Sequence, residues 1–284
     1  MISSELAVKV NGLTLSVKTW GEPDKTPVLA LHGWQDNAAT FDVLAPLMPD
    51  YYWIVPDLPG HGQSEHRGID ADYYLWGYCI EVLQLAKKLE LDEFILLGHS
   101  MGGGIANLIA GLFPEKIIKL VLLDVLGVMT TPPAKALDQM RTALVQRVDK
   151  PLRKAGIYST REKAVKARAK NGISQDAAAL LGARGIAKKE EGYYWQHDQR
   201  LSQRSLLSMS DEQLVPVMNA TTCPTLVIGS KEAVIRQEVI ESRKAVMKDV
   251  RVFTLQGGHH QHMDGDVKQV ASLIQEFLEE KSKA

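Results

Sequence analysis

The sequence predicts an α/β fold, in which helices flank a mostly parallel β-sheet. Short apolar strands alternate with amphipathic segments through the first half of the chain. Most of these strands are apolar on both faces, which is typical of strands buried inside a parallel sheet. The alternation favours right-handed crossovers, each of which carries a helix across one face of the sheet.

The first element is a predicted β-hairpin. Leu6 to Val10 and Leu13 to Trp20 are rich in β-forming residues and meet at Asn11-Gly12. Asn-Gly between two such runs is a strong hairpin signal, because both residues tolerate the positive φ angles of a tight turn.

The parallel strands and their helices follow in order. The predicted strands are Val28 to Leu31, Tyr52 to Val55, Phe94 to Leu97 and Lys119 to Leu123. The helices predicted between them are Ala38 to Leu47, Tyr73 to Leu89 and Met101 to Leu112. After a long interruption come strands at Thr225 to Ile228 and Arg251 to Leu255, and helices near Glu232 to Met247 and Val267 to Leu278. We therefore expect residues 1–127 and 222–284 to form one core domain.

The interruption, residues 128–221, is predicted to be a helical insertion between two strands of the core domain. Its charged, alanine-rich stretches Arg161 to Lys170 and Gln175 to Ala183 have the pattern of amphipathic helices. Between Thr130 and Ala220 there are 16 Lys and Arg but 9 Asp and Glu. We interpret this excess as solvated helix faces. The alternative is a surface that attracts anionic substrates or an acidic carrier protein.

Composition excludes several classes of protein. The 284 residues include 33 Lys and Arg against 34 Asp and Glu, so we expect no nucleic-acid partner. No apolar run approaches the roughly 18 residues of a membrane span, and the first ten residues lack the apolar core of a secretory signal. We therefore expect no membrane partner.

Cys79 and Cys223 have no metal-binding spacing, which favours a reduced, cytoplasmic protein without a metal site.

One motif carries chemistry. Gly98-His99-Ser100-Met101-Gly102 follows an apolar strand and opens a helix, as a nucleophile elbow requires. Glycines flank the turn because side chains there would clash, while Ser100 accepts a strained backbone. This geometry presents the Ser100 hydroxyl beside a helix N-terminus, which favours developing negative charge.

The chain resembles the α/β-hydrolase superfamily, and within it the serine hydrolase-like group. Four motifs fall in the family's order: His32-Gly33-Trp34, Asp57 to Ser64, the Ser100 elbow, and Gly257-Gly258-His259. The resemblance implies an eight-stranded sheet, a helical cap between the sixth and seventh strands, and catalysis without a cofactor.

The resemblance also implies a catalytic triad around Ser100. The base is expected at His259, with His260 as the main rival, and His262 is expected to pack behind the base. For the acid, two positions stay open. Asp124 ends the sixth strand and is slightly favoured by its short side chain, whereas Glu232 lies at the family's usual offset after the seventh strand. The expected oxyanion donors are the backbone N–H groups of Trp34 and Met101.

The function expected from this site is a serine carboxylesterase that hydrolyses short- to medium-chain esters through an acyl-enzyme, with a small-molecule ester as substrate. One alternative is a thioesterase, or a methyl esterase acting on a carrier-bound acyl chain, because both use the same groups. A second alternative is a ligand-binding receptor or signalling relative with very slow turnover. Oligomeric state does not follow from the sequence.

Overall fold

The computed structural model describes residues 1–170, 172–232 and 237–280. Its strands are β1 (Ser3–Val10), β2 (Leu13–Trp20), β3 (Thr26–Leu31), β4 (Tyr51–Pro56), β5 (Phe94–His99), β6 (Ile117–Leu123), β7 (Ile186–Lys189), β8 (Gly192–Trp195), β9 (Thr225–Ser230) and β10 (Val250–Leu255). Its α-helices are α1 (Leu75–Lys88), α2 (Met101–Leu112), α3 (Pro133–Asp149), α4 (Arg161–Ala169), α5 (Gln175–Gly185), α6 (Asp211–Ala220), α7 (Gln237–Lys244), α8 (Gln261–Asp264) and α9 (Val267–Glu279).

Eight of the strands form one sheet in the order β1-β2-β4-β3-β5-β6-β9-β10. Strand β2 is antiparallel to β1 and β4, and the remaining neighbours are parallel. This confirms the predicted mostly parallel sheet. Asn11 and Gly12 take φ angles of 48° and 79°, as the predicted tight turn between β1 and β2 requires.

The core forms two apolar layers because successive side chains of a strand point to opposite faces. Leu29 and Leu31 of β3 pack into the layer beneath α1 and α2. Val28 and Ala30 pack into the opposite layer, beneath α9. The central strands are thus buried on both faces, which explains their continuous apolar sequences.

The predicted helix from Ala38 to Leu47 is wrong. The structure has two short 3₁₀ turns instead, Ala38–Phe41 and Ala45–Leu47. Asn37 caps the first turn with its side-chain oxygen (3.0 Å). Pro46 lacks the N–H that would continue an α-helical hydrogen-bond ladder, so the second turn begins separately.

Five predicted helices are found with ends within two residues, as α1, α2, α4, α5 and α9. For the helix predicted from Glu232 to Met247, residues 233–236 lie outside the described residues. Helix α7 covers Gln237–Lys244 of the part that is described.

The insertion, residues 128–221, contains a β-hairpin that the sequence analysis did not predict. Strands β7 and β8 pair antiparallel, and Tyr158 adds a bridge to Tyr193. The signal was the aromatic run Tyr193-Tyr194-Trp195, since aromatic residues favour strands. Trp195 packs in an apolar cluster with Val165 and Leu181, apart from the two layers of the main sheet.

Buried ion pairs fasten the insertion to the core. Arg184 of α5 donates from Nε to Asp57 Oδ2 (2.7 Å) and from Nη1 to Glu5 Oε1 (2.6 Å). Arg168 of α4 donates from Nη2 to Asp36 Oδ1 (2.8 Å). Both aspartates are fully buried or nearly so, and leaving either without its cation would be costly. Among the described residues, no helix is long and apolar enough to cross a bilayer.

The start of α2 lies directly against the end of β3. A Cβ atom on Gly102 would stand 2.3 Å from the carbonyl oxygen of Leu31 and 2.6 Å from that of His32. A Cβ on Gly98 would stand 2.4 Å from the carbonyl oxygen of Gly102. The two glycines therefore let three backbone segments meet at one point.

We predict that Gly102→Ala destabilises the protein by about 3 kcal/mol or more, because backbone atoms cannot move aside as a flexible side chain can. The matched control is Gly229→Ala in β9, where the nearest atom to a Cβ would be the carbonyl oxygen of Phe253 at 3.8 Å, so the substitution should change stability little. Urea unfolding of both variants measures the difference. Equal stabilities would contradict the proposed close packing.

Candidate active site

Ser100 occupies the turn between β5 and α2. Its backbone has φ 51° and ψ −116°, a left-handed conformation that is strained for a residue with a side chain. Its N–H donates to the carbonyl oxygen of Leu123 (3.1 Å), the last residue of β6. The hydroxyl makes no capping hydrogen bond to α2, although Ser100 holds the position where serine usually caps. The Ser100 hydroxyl thus lacks the hydrogen bond to the first turn of the helix that an N-cap serine usually makes.

Asp124 and His259 form a short contact at the carboxyl edge of the sheet. His259 Nδ1 lies 2.5 Å from Asp124 Oδ2, and the aspartate is 3% exposed. The second carboxylate oxygen accepts from the Ser230 backbone N–H (2.7 Å) and hydroxyl (2.9 Å). Asp124 also takes a positive φ of 52°. The contact orients the imidazole and leaves Nε2 as its free ring nitrogen.

The charge of Asp124 is stabilised within the site. Burial by itself would raise the pKa of this carboxyl, but hydrogen bonds from His259 and Ser230 lower it below its ordinary value. Asp124 is therefore ionised at neutral pH and can stabilise a positive charge on His259.

The structure places the rival acid differently. Glu232 is exposed, and within the described residues its carboxylate makes no hydrogen bond to His259. Its Oε2 lies 3.8 Å from the position that a Cβ on Gly258 would take, so it is close to the loop but outside the His259–Asp124 pair. The geometry favours Asp124, while the assignment of the acid stays a prediction until it is tested by activity.

The two other candidate histidines face away from Asp124. His260 donates from Nε2 to Asp36 Oδ2 (3.1 Å) and His262 Nε2 contacts Thr40 Oγ1 (2.8 Å). Both rings are buried behind the site. Their positions leave His259 as the histidine beside Asp124.

The segment after β3 is a tight turn. The N–H of Asp36 donates to the carbonyl oxygen of Gly33 (3.2 Å), and Gln35 takes φ 60°. Neither Trp34 nor Met101, the two expected oxyanion donors, has a backbone N–H bonded to an acceptor in the described part of the chain. The close approach of Gly102 to β3 brings together the two chain segments that carry these N–H groups, and their role as oxyanion donors stays a prediction.

Sequence reasoning missed two residues that organise the site. Ser230 gives Asp124 two hydrogen bonds, and Asp36 holds Arg168 and His260 while lying 3.5 Å from His99 Nδ1. A signal existed for Ser230, because it ends the strand next to β6. Asp36 offered none, since its partners come from three distant parts of the chain.

Asp36, His99 and His260 could each offer one atom to a metal ion, and these atoms lie within 4.8 Å of one another. Asp36 is already neutralised by Arg168 and hydrogen-bonded by His260. Burial alone would raise the pKa of Asp36, but His260, His99 and Arg168 hold it well below its ordinary value. We interpret the group as a hydrogen-bonded ion pair because Arg168 already balances the charge of Asp36.

Several buried histidines are held neutral. Burial lowers the pKa of His99 to about 4, and its Nε2 donates to the carbonyl oxygen of His259 (3.0 Å). Burial also lowers the pKa of His32, whose Nδ1 donates to the Gly33 carbonyl while Nε2 accepts from Leu58 N–H. Burial also holds the pKa values of His61 and His262 well below their ordinary value. These rings act as uncharged links between loops.

Comparison with known proteins identifies one family across most of the chain. The alpha/beta hydrolase fold family matches residues 26–266. Serine hydrolase-like protein 2 of Homo sapiens is 30% identical over 97% of this chain and 94% of its own length. The serine hydrolase-like protein of Danio rerio is 27% identical over 99% of this chain and 90% of its own.

Solved structures are also similar to this chain. A hypothetical protein from Pseudomonas aeruginosa PAO1 is 33% identical, with a TM-score of 0.92 over 97% of this chain and 99% of that one. A thioesterase domain from the curacin biosynthetic pathway is 24% identical, with a TM-score of 0.87 over 97% of this chain and 100% of that one. The second likeness bears on the fold alone.

We predict that Asp36→Asn lowers the free energy of unfolding by about 3 kcal/mol, because it leaves the Arg168 guanidinium buried without a countercharge. The control is Asp42→Asn, which breaks the Lys18–Asp42 pair, whose carboxylate side chain is 24% exposed against 1% for Asp36, and should cost about 1 kcal/mol. Chemical unfolding measures both. A smaller loss at Asp36 than at Asp42 would contradict the buried ion pair.

We also predict that stability falls as the pH is lowered from 7 to 5. Below about pH 6.5 the histidines of the unfolded chain take up protons, whereas the buried ring of His99 stays neutral down to about pH 4. Each such histidine contributes up to about 1.4 kcal/mol per pH unit. Urea unfolding midpoints at pH 7.5, 6 and 5 test this. His99→Gln should reduce the slope of the unfolding free energy against pH by about the contribution of one proton.

Proposed function

Because the chain belongs to the alpha/beta hydrolase fold family, we propose that it is a serine carboxylesterase of short- to medium-chain esters. The observation that carries the proposal is the 2.5 Å contact between His259 Nδ1 and the buried Asp124, beside a serine held in a strained turn. A hydroxyl is a weak nucleophile unless a positioned base removes its proton. The family supports a hydrolase, and the choice of carboxylic esters is our inference from the serine nucleophile.

The proposed reaction has two halves. Ser100 Oγ attacks the ester carbonyl carbon while its proton passes to Nε2 of His259, and Asp124 stabilises the imidazolium that results. The N–H groups of Trp34 and Met101 hold the tetrahedral oxyanion. His259 then gives the proton to the departing alcohol, which leaves an acyl group on Ser100.

In the second half, water attacks the acyl-enzyme. His259 accepts a proton from this water and returns it to Ser100 Oγ as the second tetrahedral intermediate collapses, which breaks the C–Oγ bond and releases the carboxylic acid. The mechanism uses side chains and backbone only, so the proposal includes no metal or cofactor. It also includes a reduced, cytoplasmic setting, which is supported by Cys79 and Cys223, both free and buried.

Two substitutions at the site should abolish turnover of p-nitrophenyl butyrate. We predict that Ser100→Ala lowers kcat by roughly a thousandfold or more, since it removes the nucleophile. Asp124→Asn should lower kcat by roughly 10³ to 10⁴, because the amide cannot stabilise the imidazolium. The matched control is Glu232→Gln, which removes the exposed rival carboxylate and should stay within about twofold of the wild type.

The results discriminate between the candidates. Loss of activity in Glu232→Gln with retention in Asp124→Asn would reverse the assignment of the acid. Faster turnover of a butyryl thioester than of the matched oxygen ester, lost in Ser100→Ala, would replace the carboxylesterase with a thioesterase. Absence of turnover of both esters by folded wild-type protein would contradict an enzymatic role and favour a receptor.

A further inference from the structure

Helix α3 of the insertion leaves its apolar face uncovered. Of its 17 residues only Ala143 is buried. Leu137, Leu144 and Val148 are 77%, 51% and 80% exposed. At 100° per residue these three positions fall within one narrow stripe, because they are spaced by seven and four residues. A stripe of large aliphatic side chains in water marks a surface that contacts something apolar.

Basic side chains flank this stripe. Arg141, Lys150 and Arg204 line one shallow groove along α3, together with Thr142, Val145 and Gln146. All three basic residues are exposed, and none has an acidic partner among the described residues. The groove contains no carboxylate. The basic groove and the aliphatic stripe beside it therefore suit a partner that presents anionic groups at the edge of an apolar phase.

The geometry of the groove is fixed by hydrogen bonds. Gln146 Oε1 accepts from the Arg204 backbone N–H (3.1 Å), and Arg147 Nη1 donates to the Arg204 carbonyl (2.9 Å). Gln139 of the same helix binds the Ser205 carbonyl (3.2 Å). Arg204 is thus held against α3, although it lies more than fifty residues along the chain. Arg147 itself is neutralised by Asp72 (3.2 Å) and is not counted among the free cations.

We infer that α3 binds an anionic lipid surface, with its aliphatic stripe in the interface and its basic residues on the headgroups. Amphipathic helices with aliphatic side chains on one face and cations beside them bind bilayers in this way, and each basic residue adds to the attraction. A second copy of the chain fits less well, because two such faces would bring like charges together. Surface binding needs no membrane span and uses residues outside the active site.

The test is co-sedimentation of the full chain with vesicles of phosphatidylcholine alone and of phosphatidylcholine with phosphatidylglycerol at 3:1. We expect binding to the anionic vesicles only, weakening as salt is raised. Arg141→Gln/Lys150→Gln should reduce the partition coefficient roughly 25-fold, about fivefold for each charge. Leu137→Ser/Leu144→Ser/Val148→Ser should reduce it tenfold or more. All substituted side chains are exposed, and circular dichroism with unchanged ester turnover verifies the fold.

The matched control is Lys87→Gln/Lys88→Gln on α1, which removes the same two charges from an exposed helix end elsewhere. It should change vesicle binding less than twofold. An equal loss in this control would overturn the proposal, because overall charge would then explain the binding. Failure of the wild type to bind anionic vesicles would also overturn it. So would a dimer in analytical ultracentrifugation that the serine variant abolishes, since the stripe would then be a self-association surface.

Discussion

The turn at Ser100 is the constraint on which the rest of the site depends. A left-handed serine between a buried strand and a helix persists only where the surroundings fix it. Gly98 and Gly102 allow this by removing atoms that would collide with the neighbouring backbone. The same contact sets the distance between the end of β3 and the start of α2, so the strain at Ser100 and the placement of the two free N–H groups have one origin.

The two buried aspartates near Ser100 have different partners. Asp124 is ionised and faces His259, whose side chain is 20% exposed. Asp36 faces His260, His99 and Arg168 and is sealed behind the site. Because Arg168 neutralises Asp36, little net negative charge from that aspartate reaches His259. The carboxylate that contacts His259 is therefore electrostatically separate from the carboxylate that neutralises Arg168.

The sequence predicted most of the sheet because buried strands need apolar residues and tight turns need particular ones. The Ser100 elbow followed from the residues themselves, whereas His259 was expected from the resemblance to the α/β-hydrolase superfamily. Sequence-based prediction missed contacts between residues that are distant along the chain. It was also wrong where a short segment can form either an α-helix or 3₁₀ turns. Ala38 to Leu47 has helical spacing, but Pro46 and the Asn37 cap divide it into 3₁₀ turns. Asp36 is the clearest omission, because nothing local to it reveals Arg168, 132 residues away.

The basic excess of the insertion has two separate causes, which composition alone cannot distinguish. Arg168 and Arg184 are used inside the protein, where they neutralise Asp36 and Asp57 and join the insertion to the core. Arg141 and Lys150 have no acidic partner in the part of the chain that the structure describes. Solvation alone explains exposed cations on a polar helix, but it does not explain aliphatic side chains exposed beside them. Arg141 and Lys150 are two of the unpaired cations of the insertion, and their place in a groove along α3, beside exposed aliphatic side chains, argues for an anionic, apolar partner there.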